Sequence, residues 1–314
     1  MREFISRLQK IDTHVHLGDI CGVGHPSKIN TKQSKKNLLV QSDYNHWLCK
    51  FISSNFFPSS ILKQAIAQLS HTNTISNLVE SMKKNNISKV WLLPIEPFVS
   101  SYSLAKLLPQ DCVNSFVIFA SVNFLKDSTR LDIHRSLNEQ KSKLGCPGIK
   151  FHPNIQNVDP TSPKAIALYE AAEELDMFIV MHGGITPFLR GPQKKLGRVR
   201  KALDIFRSFK KAKVILAHMG QYFEHDRDLF FTIKNKNVYL DTSGVSSGTI
   251  HAALQCFDVN RIIFGSDWPF SRQSDALSIL LKAVISYTNS IEKQREIIEK
   301  ILSRNAKIFQ AAVN

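Results

Sequence analysis

Short apolar runs recur along the 314-residue chain, separated by stretches whose apolar positions follow a helical spacing. The runs are 8–17 (LQKIDTHVHL), 87–94 (ISKVWLLP), 115–122 (SFVIFASV), 148–153 (GIKFHP), 177–182 (MFIVMH), 213–218 (KVILAH), 238–241 (VYLD) and 261–267 (RIIFGSD). Their length, their β-branched and aromatic content and their turn-forming flanks predict buried strands. Between them, Ile75, Leu78, Val79 and Met82 are spaced for an amphipathic helix ending near Asn85-Asn86. A second helix is expected over Arg130–Leu144, where Gly145 stops it, and a third over Pro163–Leu175, with proline at an early helical position. Helical sequence fills the chain after the last run. Strict alternation of apolar strands with helices implies a parallel sheet. Eight such units predict an α/β fold of the (β/α)8 TIM-barrel kind, one domain spanning 1–314. An open doubly wound sheet is the alternative, but no G-x-G-x-x-G or P-loop pattern supports it.

The least regular stretch, 18–72, follows the first strand. It opens with Gly18, Gly22, Gly24 and Pro26, continues through a basic patch at Lys28–Lys36, and offers short helices at Leu38–Ile52 and Ser59–Leu69. Connections of this length are functional or disordered. Tyr44, Trp47, Phe51, Phe56 and Phe57 argue for order, so an insertion capping a site above strand one is expected.

Composition narrows the function. A hydrophobic fraction of 43% supports a large core, while the net charge of +15 permits nucleic acid, an anionic membrane, an acidic substrate or only a basic solvated surface. Lys and Arg never occur more than two in a row, which favours the solvated surface and no nucleic-acid partner. The five cysteines, Cys21, Cys49, Cys112, Cys146 and Cys256, are dispersed with no C-x-x-C pair, as expected of reduced thiols in a cytoplasmic setting. No signal-like core and no membrane-length apolar run is present, so no membrane partner is expected.

The polar residues at strand ends carry the chemistry. Side chains alternate faces along a strand, so His14 and His16 aim two imidazoles at one point while Val15 packs away. Such a pair begins a site for a borderline metal such as zinc. The other strand ends carry Lys150 and His152, His182, His218, Asp241 and Asp267. Five of the eleven histidines thus stand where barrel enzymes build their sites.

The motifs IDTHVH (11–16), GIKFHP (148–153), MHGG (181–184), LAHMG (216–220), YLDTSG (239–244), FGSDWPF (264–270) and RNAKIF (304–309) follow one another in an order that resembles the amidohydrolase superfamily. Within it the likeness is to the amidohydrolase-2 group of metal-dependent hydrolases and related decarboxylases. The resemblance spans nearly the whole chain except 18–72. It implies that His14, His16, His182 and Asp267 hold one divalent metal ion, Zn2+ first, with Mn2+ or Fe2+ as alternatives. Asp267 would also act as the base toward water, and His218 would orient the nucleophile or polarise the substrate. Lys150 and His152 are expected to contact substrate or, if the lysine is carboxylated, to serve a second metal. Arg190, Trp268 and Arg272 are further candidates for substrate contact, and Arg190, Lys194, Lys195 and Arg198 crowd the loop after His182. Asp241 is expected to be structural, and Asn305 to cap the final helix or tie it to the barrel.

The implied activity is metal-dependent hydrolysis of an amide, lactone or ester in a small anionic or cyclic substrate. Non-oxidative decarboxylation on the same frame is the alternative. A TatD-like nuclease fits less well, because that group carries a strand-borne glutamate where this chain reads GIKFHP. Homo-oligomerisation is left open.

Overall fold

Each of the eight apolar runs forms a strand in the computed structural model, which describes residues 2–22 and 73–309 apart from 225, 227 and 234–236. In chain order these are β1 (Lys10–Val15), β2 (Ile87–Leu92), β3 (Phe116–Ile118), β4 (Gly148–Phe151), β5 (Phe178–Gly184), β6 (Val214–Tyr222), β7 (Val238–Asp241) and β8 (Ile262–Ile263). Neighbours in sequence are neighbours in space and pair in parallel, as β1-β2-β3 and β4-β5-β6-β7-β8. The ladder is not continuous around the barrel. At its two seams it narrows to single parallel bridges, Ala120 to Ile149 and Val15 to Trp268. The second seam matters most here: Asp267 N donates to His14 O at 2.9 Å and His16 N to Trp268 O at 2.8 Å, locking the last strand's end against the first. The helices expected within 18–72 lie outside the described residues.

The intervening helices end where local chemistry says they should. In chain order the first of them are α1 (Arg2–Arg7), α2 (Ile75–Asn85), α3 (Ser101–Ala105), α4 (Arg130–Leu144), α5 (Pro153–Gln156) and α6 (Pro163–Glu174). Thr74 caps α2, whose far end closes on Asn86 in the left-handed region (φ 50°). Thr129 and Asp132 form a reciprocal capping box on α4, and Gly145 (φ 65°) ends it. Ser162 caps α6 just ahead of Pro163. No described helix is long and apolar enough to cross a membrane.

Two apolar layers follow from the strand alternation. Ile149, Phe151, Ile179, Met181, Val214 and Leu216 face outward into the layer shared with the helices. Ile11, Trp91, Phe119, Phe178, Val180, Ile215 and Phe309 fill the barrel below the site. Aromatic rings form its floor, with Trp91 5.1 Å from Phe119 and 5.7 Å from Phe309 between centroids. Phe309 belongs to RNAKIF, and Asn305 of that motif ties the terminal segment to the barrel by donating to Val259 O and Ile262 O, both at 2.7 Å.

Candidate metal centre

Three departures from regular strand geometry place the polar side chains. Ile11 lies in the barrel-filling layer and Val15 in the outer one, although four residues apart on a regular strand they would share a face. A register irregularity between Asp12 and Val15 accommodates the switch and turns His14 and His16 inward above Ile11. Within β6, Leu216 faces outward, so strict alternation would send His218 outward too. Instead His218 (φ 57°) and Met219 (φ 51°) adopt left-handed backbone, which turns the imidazole into the site and Met219 into the outer core. Asp267 (φ 66°) does likewise after β8. Left-handed backbone costs a non-glycine residue on the order of 1–3 kcal/mol and tends to gather at functional sites.

The atoms converge closely. His14 Nε2 lies 3.1 Å from His16 Nε2, and these nitrogens are 3.6 and 3.7 Å from Asp267 Oδ1. His14, His218 and Asp267 present ligand atoms that all lie within 4.8 Å of one another. The hydrogen bonds on the far sides of the rings fix the tautomers. His16 Nδ1 donates to Leu93 O at 2.8 Å, and His14 Nδ1 to Asp241 Oδ2 at 2.8 Å. His218 Nδ1 faces the Ser243 carbonyl at 3.1 Å. A carbonyl or carboxylate oxygen accepts, so these rings carry their proton on Nδ1 and turn a bare Nε2 lone pair inward. Burial holds His14, His16 and His218 well below the usual histidine range, hence neutral. Two facing lone pairs at 3.1 Å repel unless a cation shares them.

The surrounding charges fit the same conclusion. Burial pushes the Asp267 carboxyl well above the usual carboxylate range, with only partial opposition from Lys150. Burial also pushes the Lys150 ammonium down to about 8, against the pull of Asp241 and Asp267. Its Nζ lies 3.1 Å from His14 Nε2, the lone pair a metal would use. Three neutral imidazoles and a carboxyl group only partly compensated by Lys150 are a donor set suited to a divalent ion.

Behind these groups stands a buried polar layer. Asp241 accepts from His14 Nδ1, from His218 N at 2.9 Å, and from Ser243 N and Oγ. Its role is to orient two rings at once. Asp12 accepts from Ser266 N and Oγ, Gln273 Nε2 and His14 N, and so holds the turn that carries Asp267. Gly265 makes the close approach of strand eight to strand one feasible, since a Cβ there would sit 2.8 Å from His14 Cβ. Asp12, Ser243 and Tyr222, whose ring centre is 4.4 Å from that of His218, were not singled out by sequence reasoning. Asp12 and Ser243 lie inside IDTHVH and YLDTSG, which was the available signal; Tyr222 had none.

The remaining candidates are placed as follows. His182 lies beside the cluster, 4.7 Å from His218 between ring centres, with Nε2 at 3.3 Å from Thr186 Oγ1. Its ring stacks on His152 at 3.9 Å with a 10° tilt. The Trp268 side chain packs in the outer apolar layer, and its backbone closes the seam. Arg272 pairs with Asp275 at 2.6 Å. Arg190 is exposed, and Arg198 pairs with Glu224 at 2.7 Å. A cavity of about 720 Å³ lies between the loops after β5 and β6, lined by Ile185, Arg198, Arg200, Phe223 and Asp226 among others, but by none of the five site histidines.

Comparisons with known proteins bear on the fold and the family. A model of the amidohydrolase family matches residues 119–309. No curated protein matches. Among solved structures, an uncharacterised TIM-barrel protein from Bordetella bronchiseptica is 15% identical, with a TM-score of 0.66 over 98% of this chain and 99% of that one. A 5-carboxyvanillate decarboxylase from Novosphingobium aromaticivorans, complexed with manganese and 4-hydroxy-3-methoxy-5-nitrobenzoic acid, is 14% identical, with a TM-score of 0.64 over 97% of each chain. A probable 2-pyrone-4,6-dicarboxylic acid hydrolase from Acinetobacter baumannii, with citric acid bound, is 13% identical, with a TM-score of 0.55 over 96% of this chain and 100% of that one. At these identities the likeness speaks for the barrel fold. With the family match covering more than half of its length, the chain belongs to the amidohydrolase family.

Proposed function

We propose that the protein is a metal-dependent hydrolase that directs an activated water at an amide, lactone or ester bond of a small anionic or cyclic substrate. What supports this reading is the position of Asp267. Its carboxylate stands 3.6 and 3.7 Å from two bare imidazole nitrogens and beside a third imidazole, where one group can both hold a cation and take a proton. His14, His16 and Asp267 are proposed ligands, with His182, which lies beside them with its Nε2 3.3 Å from Thr186 Oγ1, as the fourth that the family resemblance implies; the ion is one Zn2+ by preference given the nitrogen-rich set, with Mn2+ or Fe2+ as alternatives. A divalent ion there would supply Lewis acidity and make water nucleophilic near neutral pH.

The chain's own groups divide the remaining work. Asp267 takes the proton of the attacking water and returns it to the leaving group. His218, protonated on Nδ1 and held by Ser243 O and Asp241, keeps its Nε2 face toward the reacting centre and orients the nucleophile there. Lys150, buried beside His14, offers a positive charge to an anionic substrate oxygen.

Decarboxylation is the second reading, favoured by the manganese-bound decarboxylase among the structural neighbours. One experiment separates the two. Protein loaded with Zn2+ or Mn2+ is offered lactones, including 2-pyrone-4,6-dicarboxylate, and aromatic acids, including 5-carboxyvanillate, in ¹⁸O-water. Hydrolysis leaves one solvent oxygen in the organic product. Release of carbon dioxide with unlabelled organic product would replace the first reading with the second.

A further inference from the structure

His152 differs from the other four histidines at the strand ends. It caps α5: its Nδ1 accepts the backbone N–H of Ile155 at 3.2 Å. A ring nitrogen that accepts an N–H is unprotonated, so the ring's proton must sit on Nε2. This tautomer is opposite to that of His14, His16 and His218, whose Nδ1 atoms face acceptor oxygens. The cluster therefore holds several inward lone pairs and one inward N–H. The ring is buried, only 5% exposed, and fixed by its stack on His182. Its backbone N–H is committed separately, to Gln156 Oε1 at 2.7 Å. Among the described residues the Nε2–H has no hydrogen-bond partner. An N–H of fixed direction with no protein acceptor is available to a ligand that supplies one.

The neighbourhood says what that acceptor is. Lys150, two residues earlier and on β4, faces inward as well, and both side chains are buried. The pair combines one ammonium with one N–H of fixed direction, which suits an oxygen bearing negative charge. We infer that His152 is a specificity-determining donor: its Nε2–H, together with Lys150, seats a carboxylate or carboxylate-like oxygen of the substrate beside the proposed metal ligands. The inference rests on the reading of this cluster as the substrate site, and it holds for either hydrolysis or decarboxylation.

Two substitutions separate the cap from the donor. His152→Asn keeps a side-chain acceptor for the Ile155 N–H and removes the N–H at the Nε2 position. His152→Gln places an amide N–H near that position and gives up the cap. The probe is 4-hydroxy-3-methoxy-5-nitrobenzoate, titrated calorimetrically into zinc-loaded protein, with zinc content measured in every variant. Loss of one hydrogen bond to a charged oxygen weakens binding by about 10–100-fold. His152→Asn is expected to show that loss at unchanged zinc content and unchanged melting temperature. His152→Gln is expected to bind more tightly than the Asn variant while melting lower. Long-range ¹H–¹⁵N spectra of histidine-labelled wild type give a readout that needs no turnover: His152 should appear as the Nε2–H tautomer, and its ¹⁵Nε2 should shift when the probe is added. An Nδ1–H tautomer, an Asn variant that binds like wild type, or a wild type that takes up zinc but ignores the probe overturns the inference. Failure of the wild type to take up zinc sinks the metal reading instead.

Discussion

Asp241→Asn tests whether the rings of the cluster are set by their outer hydrogen bonds. The carboxylate accepts from His14 Nδ1, His218 N, Ser243 N and Ser243 Oγ. Asparagine can keep its single oxygen on the His218 and Ser243 side. Its amide N–H₂ then faces His14 Nδ1–H, donor against donor, at a contact that is now 2.8 Å. His14 relieves the clash by moving its proton to Nε2, the nitrogen 3.1 Å from His16 Nε2. A protonated Nε2 cannot ligate. Disturbing such an outer partner costs about 10–100-fold in metal affinity, which is about 1.4–2.8 kcal/mol. The assay is zinc competition against a chromophoric chelator at constant pH, with melting temperature as the control for folding. Asp241→Ala serves as the contrast, because it strips the acceptor from two buried backbone N–H groups, at about 1–3 kcal/mol each, and should melt lower as well. An Asn variant that competes for zinc as well as the wild type would refute the tautomer argument.

Further outcomes follow from the same geometry. Asp267→Asn keeps one oxygen ligand but no base, so it should retain much of its zinc while turnover falls by roughly 10²–10⁴-fold, measured on whichever substrate the ¹⁸O screen identifies. Removing metal with a chelator should lower the melting temperature, and zinc, manganese or iron should restore it; an ion at about 100 times its Kd contributes about 2.7 kcal/mol. Metal well below one equivalent per chain by elemental analysis, with no thermal response to any of the three, would remove the enzyme reading. Gly265→Ala places a methyl group 2.8 Å from His14 Cβ and should reduce zinc affinity more than the same change at Gly145, where a Cβ meets nothing within 4 Å.

Much of this molecule is written in its pattern of apolar and polar positions. Eight apolar runs and their helical partners were enough for a parallel barrel, because strand alternation and helix caps are local properties that tertiary context here reinforces. The helix ends near Asn86 and at Gly145, and the proline that opens the helix at Pro163, stand where the sequence pattern places them. That His14 and His16 point the same way followed from a period of two, but that they point inward needed the register irregularity between Asp12 and Val15. Other features were beyond reach. Strict alternation would send His218 outward, and only the left-handed backbone at 218 and 219 reverses it. Arg272 pairs with Asp275, and Trp268 packs in the outer core and closes the seam, contacts that no local pattern shows. Asp12 and Asp241 gained their roles from residues 254 and 227 positions away in the chain, Ser266 and His14. The protonated nitrogens of His14, His16 and His218 were likewise set by partners such as Leu93 O, 77 positions from His16. Which element forms is decided by neighbours along the chain. Which way an imidazole points, and which of its nitrogens is bare, is decided by hydrogen-bond partners that only closure of the barrel brings within reach.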